Sequence, residues 1–390
     1  MSVPAAPAED MARASRARRI DRELHRLLAR PSIQMATVRI ENGDGSWSLA
    51  GAVGRADDEG AAMTVDRPFH IASIDKICTA VLVLRLHEQD LIDLRSPFAA
   101  YLAPTLSERL HVQDGIDRTG EVTVLHLLSH TSGLAGYFED APKGGHSFAE
   151  RIVRENDREW SVEDLLGIVR GGLAPHFPPQ PIELRRPRVR YSDTNFLLLG
   201  SIVEAVTGQP LAVAAHEQIF RPAGMTRTWF LGRSVPEEPA LAPAAVWNGA
   251  DALERPLVLT SLRSVYSTSA DLIRLMRALT SGRLFEREDT FELMQRWHSF
   301  GLPRDAASLR LPGWPIQYGL GLMRFRLPLP FRLWRPMPPV VGHTGSIGSW
   351  LFYCPERDLY TSGTVSEMSA GAVPFRIVPR LVRIAAQVRA

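Results

Sequence analysis

The chain has 390 residues, 45% of them hydrophobic, and 45 Lys and Arg against 43 Asp and Glu leave a formal net charge of +2. A chain of this length and apolar content buries a large core, as one big domain or two intimate ones. The balanced charge, with no long single-sign block, argues against nucleic acid or an anionic membrane as a partner.

The N-terminal residues include Glu9, Asp10, Arg16, Arg18, Arg19 and Asp21. No apolar stretch precedes a small-residue cleavage site, so a signal peptide is not expected. No stretch reaches the ~18 apolar residues of a membrane span, and the expected location is the cytoplasm. Residues 15–29 read as an arginine-rich amphipathic helix. Residues 35–40 and 47–53 read as strands around the turn Asn42-Gly43-Asp44-Gly45, a hairpin signal. Phe69 and Ile71 lead into Ser73, and residues 77–86 are apolar nearly all round, which places that helix in the centre of the protein. From about 96 to 260 the pattern is mostly helical, with helix-spaced apolar residues at 122–128, 162–169 and 196–206. Residues 271–279 read as a helix with Ser269 or Asp271 as its cap. The stretch 303–339 is rich in proline and aromatics. Strand patterns follow at 350–353 and 359–365, and a helix at 373–388 closes the chain. Strands at both ends with helices between them predict a sheet built from the two termini.

The sharpest feature is Ser73-Ile74-Asp75-Lys76 at the start of the buried helix. Residues i and i+3 share a helix face, so the amine reaches the hydroxyl. A serine in the first turn also has a free backbone N–H above the positive end of the helix dipole. A serine hydroxyl is a poor nucleophile until its proton is removed. A lysine does that when burial and nearby positive charge disfavour its ammonium form. The composition sharpens the signal, since the only lysines are Lys76 and Lys143. The alternative is a serine cap with a surface lysine in the first turn.

Weaker signals read as structural. Cys78 and Cys354 sit in no Cys-x-x-Cys pair, which excludes a disulfide framework and a zinc knuckle. His126 and His130 are four apart on a helix but lack a third ligand. No Gly-x-Ser-x-Gly elbow is present, which disfavours an ordinary α/β-hydrolase. The apolar run Leu327–Trp334 reads as a loop packing locally, with the lining of an acyl pocket as the alternative.

Several ordered segments resemble the serine β-lactamase-related superfamily, which includes class C β-lactamases, D-Ala-D-Ala carboxypeptidases, D-amino-acid amidases, esterases and acyltransferases. The nucleophile segment is Phe69-His70-Ile71-Ala72-Ser73-Ile74-Asp75-Lys76, an SxxK motif. Leu127-Leu128-Ser129-His130-Thr131-Ser132-Gly133-Leu134 is similar to the family's helix and turn, and Tyr191-Ser192-Asp193-Thr194-Asn195-Phe196 to its tyrosine motif. Ser267-Thr268-Ser269-Ala270-Asp271-Leu272 resembles a later helix start, and His343-Thr344-Gly345 the third motif, usually Lys-Thr-Gly. The resemblance implies Ser73, Lys76 and Tyr191 as catalytic residues. Near cations the Tyr191 pKa falls, and by resemblance this residue also protonates the leaving group. It further implies the backbone N–H groups of Ser346 and Ser73 as oxyanion donors, with Thr344 and Gly345 along the substrate. His343, in place of the lysine, changes charge near neutral pH and binds an anionic group less firmly. Asp193 stands where the motif usually has Asn. An ionised carboxylate cannot donate to a substrate amide, so esters are favoured, and Asp193 is then available to pair with Lys76.

The fold class expected is α/β plus α, a β-lactamase-like fold. A mostly antiparallel sheet from both termini is flanked by helices (1–95 and 261–390), and a helical domain (96–260) is inserted. The function expected is a cytoplasmic serine hydrolase, forming an acyl-enzyme at Ser73 on a small-molecule ester, with no metal or organic cofactor. The alternatives are an acyltransferase or a D-amino-acid amidase or peptidase on the same fold, and a binding or sensing domain that is acylated without turnover. The acyl group, the leaving group and the oligomeric state stay open.

Overall fold

The first helix, α1 (Ala6–Leu28), leads into the hairpin β1 (Met35–Asn42) and β2 (Ser48–Gly54). The computed structural model describes residues 6–184, 187–299, 316–326 and 337–386, so the run 327–334 lies outside the described residues. The short strand β3 (Phe69–His70) and a 3-10 turn (Ala72–Ile74) deliver the chain to the central helix α2 (Asp75–Glu88). Beyond it come α3 (Val124–Ser129), α4 (Phe148–Arg154), α5 (Val162–Arg170) and α6 (Asp193–Thr207), among shorter helices. The strands β4 (Trp229–Phe230) and β5 (Val265–Ser267) flank the return, and α7 (Ser269–Thr280) follows. The chain ends with β6 (His298–Ser299), β7 (Ile316–Tyr318), β8 (Met323–Phe325), β9 (Val340–Thr344), β10 (Trp350–Cys354), β11 (Leu359–Thr364) and α8 (Pro374–Ala386).

The main sheet has eight strands in the order β6-β7-β8-β9-β10-β11-β1-β2, every neighbouring pair antiparallel. N- and C-terminal strands meet at β1 and β11, with Val38 opposite Gly363 and Ile40 opposite Thr361. This is the sheet from both termini that the strand patterns predict. The period-2 alternation of the strands decides what each face packs on. Val38, Ile40, Trp350 and Phe352 face Leu24 of α1 and Val378 and Leu381 of α8. Met35 and Leu351 face the other way, into the cluster holding Leu272 and Met276 of α7 and most of α2.

On α2, Ile77, Ala80, Val81, Val83 and Leu84 are fully buried, as expected of a helix without a polar face. Burying one such aliphatic side chain stabilises by about 1.5–3 kcal/mol, so α2 is the rigid centre of the molecule. The β7–β8 hairpin comes down on it at Gly321, which has φ +72° and where a Cβ would stand 2.4 Å from the Ala80 Cβ. Both facts require glycine there.

Three boundaries differ from the sequence reading. α1 begins nine residues before residue 15, at Ala6. α6 starts at Asp193 and not at 196, because Asp193 already has its side chain engaged at the helix start. The cap of α7 is Thr268, whose hydroxyl accepts from the Asp271 N–H at 3.1 Å, and neither Ser269 nor Asp271. Asp271 is instead buried, accepting from the Arg227 N–H and the Thr228 hydroxyl. Among the described residues no single helix is long and apolar enough to cross a membrane.

Candidate active site

Ser73 lies in the 3-10 turn, half-buried, directly before α2. Its predecessor Ala72 has φ +48°, a left-handed conformation that costs a residue with a Cβ about 1–2 kcal/mol. Strain of this kind persists only where surrounding structure enforces it. Here the enforcement comes from the end of β9. A Cβ on Gly345 would stand 2.8 Å from both the Ala72 Cβ and the Ile71 carbonyl oxygen, and 2.1 Å from the Ser349 Oγ. The Ser349 hydroxyl donates to that Ile71 carbonyl at 2.8 Å. Glycine at 345 therefore lets the third motif press its backbone against the serine turn. Ser346 follows, half-buried. Among the described residues, no backbone hydrogen bond engages the N–H of Ser73 or of Ser346.

Lys76 is buried one turn along, and its Nζ donates to the Ser73 Oγ at 3.0 Å and to Asp193 Oδ1 at 2.8 Å. The ammonium also lies 5.3 Å from the centre of the Tyr191 ring and 5.7 Å from that of Phe196. The expected pairing of Asp193 with Lys76 is thus present. The expected weakening of the ammonium is not. Burial pulls the Lys76 pKa down, but Asp193 and then Asp75 outweigh it and hold the group above its ordinary value. The resting amine is charged. Asp75, next to it, is raised by burial to about 6, with Lys76 opposing the rise and Asp193 adding to it.

Tyr191 brings its hydroxyl into the same space. That hydroxyl is buried without a full hydrogen bond, and its interaction with Ser73 only partly offsets burial, which raises its pKa well above the ordinary phenol. The lowered value expected beside cations does not occur, because burial dominates and the carboxylates of Asp193, Glu139 and Asp75 raise it further. The backbone under Tyr191 is held by His130, which is left-handed at φ +56° and fully buried. His130 Nδ1 accepts from the Ser192 N–H at 3.2 Å and meets the Asn195 amide at 2.9 Å, while its ring packs 4.5 Å from that of Tyr191. His126 has a different task, accepting the Thr123 N–H in a capping box. Both histidines are structural supports. Among the described residues no group of three or more His, Cys, Asp or Glu is placed to hold a metal ion.

His343 is fully buried, where the sequence suggested a charge that switches near neutral pH. Its Nδ1 donates to the Thr344 carbonyl at 2.7 Å, which leaves Nε2 to accept from the Tyr318 hydroxyl at 2.9 Å. Burial first, then Lys76, push its pKa down to about 3. It is a neutral ring in an aromatic cluster and supplies no cation to an anionic substrate. Thr344 is nearly buried, its hydroxyl directed at the Met323 sulfur at 3.7 Å.

Sequence reasoning missed several residues here. Tyr318 looks like an ordinary strand aromatic, and only the sheet order brings it to His343. The segment after α3 is stitched to the tyrosine motif: the Tyr137 N–H donates to the Thr194 hydroxyl at 3.0 Å, and Ser192 and Thr194 both donate to the Ala135 carbonyl. Asp140 then binds Arg190 at 2.8 Å and His176 at 2.7 Å. Glu139, next to Asp140, is exposed. Burial and Asp193 raise it to about 7, against Arg190 and Lys76. No local motif marks Tyr137, Glu139, Asp140 or Tyr318.

The site therefore joins a serine at a helix start, a lysine one turn on, a tyrosine from a second helix and a glycine-bearing strand end. A sequence model of the β-lactamase family matches residues 20–374. Esterase EstB of Burkholderia gladioli is 33% identical over 181 residues, covering 46% of this chain and 43% of that protein. The D-alanyl-D-alanine-carboxypeptidase/endopeptidase AmpH of Escherichia coli is 24% identical over 290 residues, covering 74% and 67%. The putative penicillin-binding protein PbpX of Bacillus subtilis is 25% identical over 226 residues, covering 56% and 48%, so the chain matches about half the length of such relatives. In fold, D-amino acid amidase from Ochrobactrum anthropi SV3 superposes with a TM-score of 0.71 at 20% identity, covering 98% of this chain and 99% of that one. The chain belongs to the β-lactamase family.

Proposed function

We propose that the protein is an esterase that forms an acyl-enzyme at Ser73 on small-molecule esters. The observation that carries this is the Lys76 amine, 3.0 Å from the Ser73 hydroxyl and 2.8 Å from Asp193. Ser73 Oγ attacks the acyl carbonyl as its proton passes to Lys76 or Tyr191. The N–H groups of Ser73 and Ser346 receive the developing oxyanion, each such donor stabilising the transition state by about 3 kcal/mol. Tyr191, whose raised pKa keeps it protonated, is suited to give a proton to the departing alkoxide. Water then releases the acid by the same groups in reverse. Asp193 favours esters over amides, because an acceptor bound to Lys76 offers no donor to a substrate amide carbonyl. An acyltransferase shares every step up to the last and differs only in the nucleophile that takes the acyl group.

A second reading is supported by Glu139. Glu139 is an exposed carboxyl that interacts with Asp193 and Lys76, and it offers a partner to a substrate carrying a positive charge. Amino-acid esters and amides are such substrates, and one similar structure is of a D-amino acid amidase.

The test is the initial rate on p-nitrophenyl butyrate and on a D-amino-acid amide, for wild type and Ser73→Ala. Ester turnover that disappears in Ser73→Ala is expected. Faster turnover of the amide moves the assignment to an amidase. Equal rates in both proteins remove Ser73 from the chemistry.

A further inference from the structure

A cavity of about 70 Å³ opens on Lys76 from a side that includes neither Ser73 nor Tyr191. Asp75, Cys78, Thr79 and Leu82 form one wall, at the i, i+3, i+4, i+7 spacing of a single face of α2. Asp193 and Arg263 close other sides. Two buried polar atoms of these walls, Asp75 Oδ1 and Arg263 Nη1, have no protein partner. Burying such atoms unpaired is costly. Arg263 is held in position by Glu204 and by a glycine: a Cβ on Gly200, in the middle of α6, would stand 2.7 Å from Nη1. Glycine is a poor helix former, so its presence there makes room for the guanidinium. A water needs about 10–15 Å³ of such space and two to four polar partners, so this cavity has room for several.

Lys76 faces a problem that the cavity resolves. Its charge must leave before it can accept the Ser73 proton, and Asp193 holds that charge in place at 2.8 Å. We propose that the cavity is a water-filled proton path, through which Asp75 takes the ammonium proton of Lys76 before Ser73 attacks. Ammonium and carboxylate become amine and carboxylic acid through the intervening water, with no net charge created. The amine then takes the Ser73 hydroxyl proton as the Oγ–acyl carbon bond forms, and returns it through Tyr191, which protonates the leaving group. After hydrolysis Asp75 returns its proton and the ion pair is restored. Asp75 acts through Lys76 and is a positioning residue, not one that touches substrate.

The charged and titratable groups facing Asp75 are Lys76 and Cys78 on α2, Asp193 on α6, and Tyr137 and Arg263 across the cavity. Tyr191 and Tyr318 also feel its charge. Burial keeps Asp75 a better proton acceptor than an ordinary carboxylate, at about 6. The relay requires it ionised, so turnover falls as pH drops through that value.

The proposal rests on Ser73 and Lys76 doing the acyl chemistry, and the experiment separates the two. Ester hydrolysis is measured from pH 5 to 9 on the full chain as wild type, Ser73→Ala, Asp75→Asn and Asp75→Glu, with folding checked by thermal unfolding. Expected for Asp75→Asn is a kcat about 10²-fold lower, an unchanged KM and no acidic limb, with partial recovery in Asp75→Glu. A folded Asp75→Asn that keeps the wild-type limb overturns the relay. If Asp75→Asn does not fold, Cys78→Met fills the same cavity and leaves both ionisable groups intact. Reduced kcat at constant KM then supports the relay, and unchanged kcat overturns it. Activity in Ser73→Ala overturns the assignment of Ser73 itself. An inactive Ser73→Ala beside an unaltered Asp75→Asn removes the relay alone.

Discussion

Lys76 keeps a charge that burial alone would remove, and the carboxylate of Asp193 is the main reason. The pair is nearly enclosed, with side-chain exposures of 8% and 15%, so solvent screens it little. Asp193→Asn takes away the strongest attraction that holds the ammonium charged and leaves burial, which favours the amine. The rise of kcat/KM with pH, which follows ionisation of Asp75, then moves to lower pH, because Asp193 also raises the Asp75 carboxyl. A pH–rate profile of Asp193→Asn tests this, and a rise that stays in place or moves up contradicts the role given to Asp193. The same substitution introduces an amide donor, so the ratio of amide to ester turnover is expected to increase. His343 shows how little a residue's type says without its neighbours. A histidine titrates near neutrality in water, but at this position Tyr318 and the Thr344 carbonyl use both ring nitrogens and burial keeps it neutral.

Among the elements, the end of β9 and the turn before α2 are the two that must meet. Their contact depends on Gly345, which has no room for a Cβ against Ala72, Ile71 and Ser349. Gly345→Ala is expected to push the strand end away from the serine turn and to break the hydrogen bond from Ser349 to Ile71. Misplacing an oxyanion donor in this way lowers acylation by about 10²–10³-fold. The rate of p-nitrophenol release checks it, with thermal unfolding to establish that α2 and the sheet remain folded. An acylation rate within a few-fold of wild type means that β9 does not position the oxyanion. The sequence marks the positions of both elements, since an apolar helix and a glycine after a strand are local patterns. That they touch is a property of the sheet order, which puts β9 at the centre of eight strands.

For the whole molecule, burial of ionisable groups sets the response to acid. His70, His130 and His343 are buried neutral, with pKa values of about 4, well below normal and about 3. Each is protonated in the unfolded chain below pH ~6.5, so each destabilises the fold as pH drops below that value. Asp75 and Glu139, raised to about 6 and about 7, act in the opposite sense. They are protonated in the fold before they are in the unfolded chain, which offsets two of the histidines down to pH ~4.5. At Asp140 burial is outweighed by His176 and its other partners, and the carboxyl, lowered to about 2, adds stability that is lost below pH ~3.8. One histidine stays unopposed, so stability is expected to decline gently between pH 6.5 and 5. Below pH 4.5 the decline steepens, because the carboxyls of the unfolded chain then take up protons as well and the offset ends. Urea midpoints at pH 7, 5.5 and 4 check this, and a decline as steep between pH 7 and 5.5 as between pH 5.5 and 4 contradicts the opposed titrations.

By itself the sequence determined what is local. Helix and strand periods follow from which residues are apolar, so the sheet from both termini, the buried helix α2 and the hairpin β1–β2 are legible without coordinates. Ser73 and Lys76 are legible together because one helical turn fixes their separation. Asp193 was readable as a departure from a motif and as a partner for Lys76. Only the tertiary structure decided the charge states. Lys76, Tyr191 and His343 take theirs from burial and from groups far away in sequence: Asp193 lies 117 residues from Lys76, and Tyr318 lies 25 from His343. The cavity between Asp75 and Arg263 is likewise a space between elements, and no pattern along the chain describes it. Electrostatic energy depends on distance and on excluded water, and both are set when the helices and the sheet pack together.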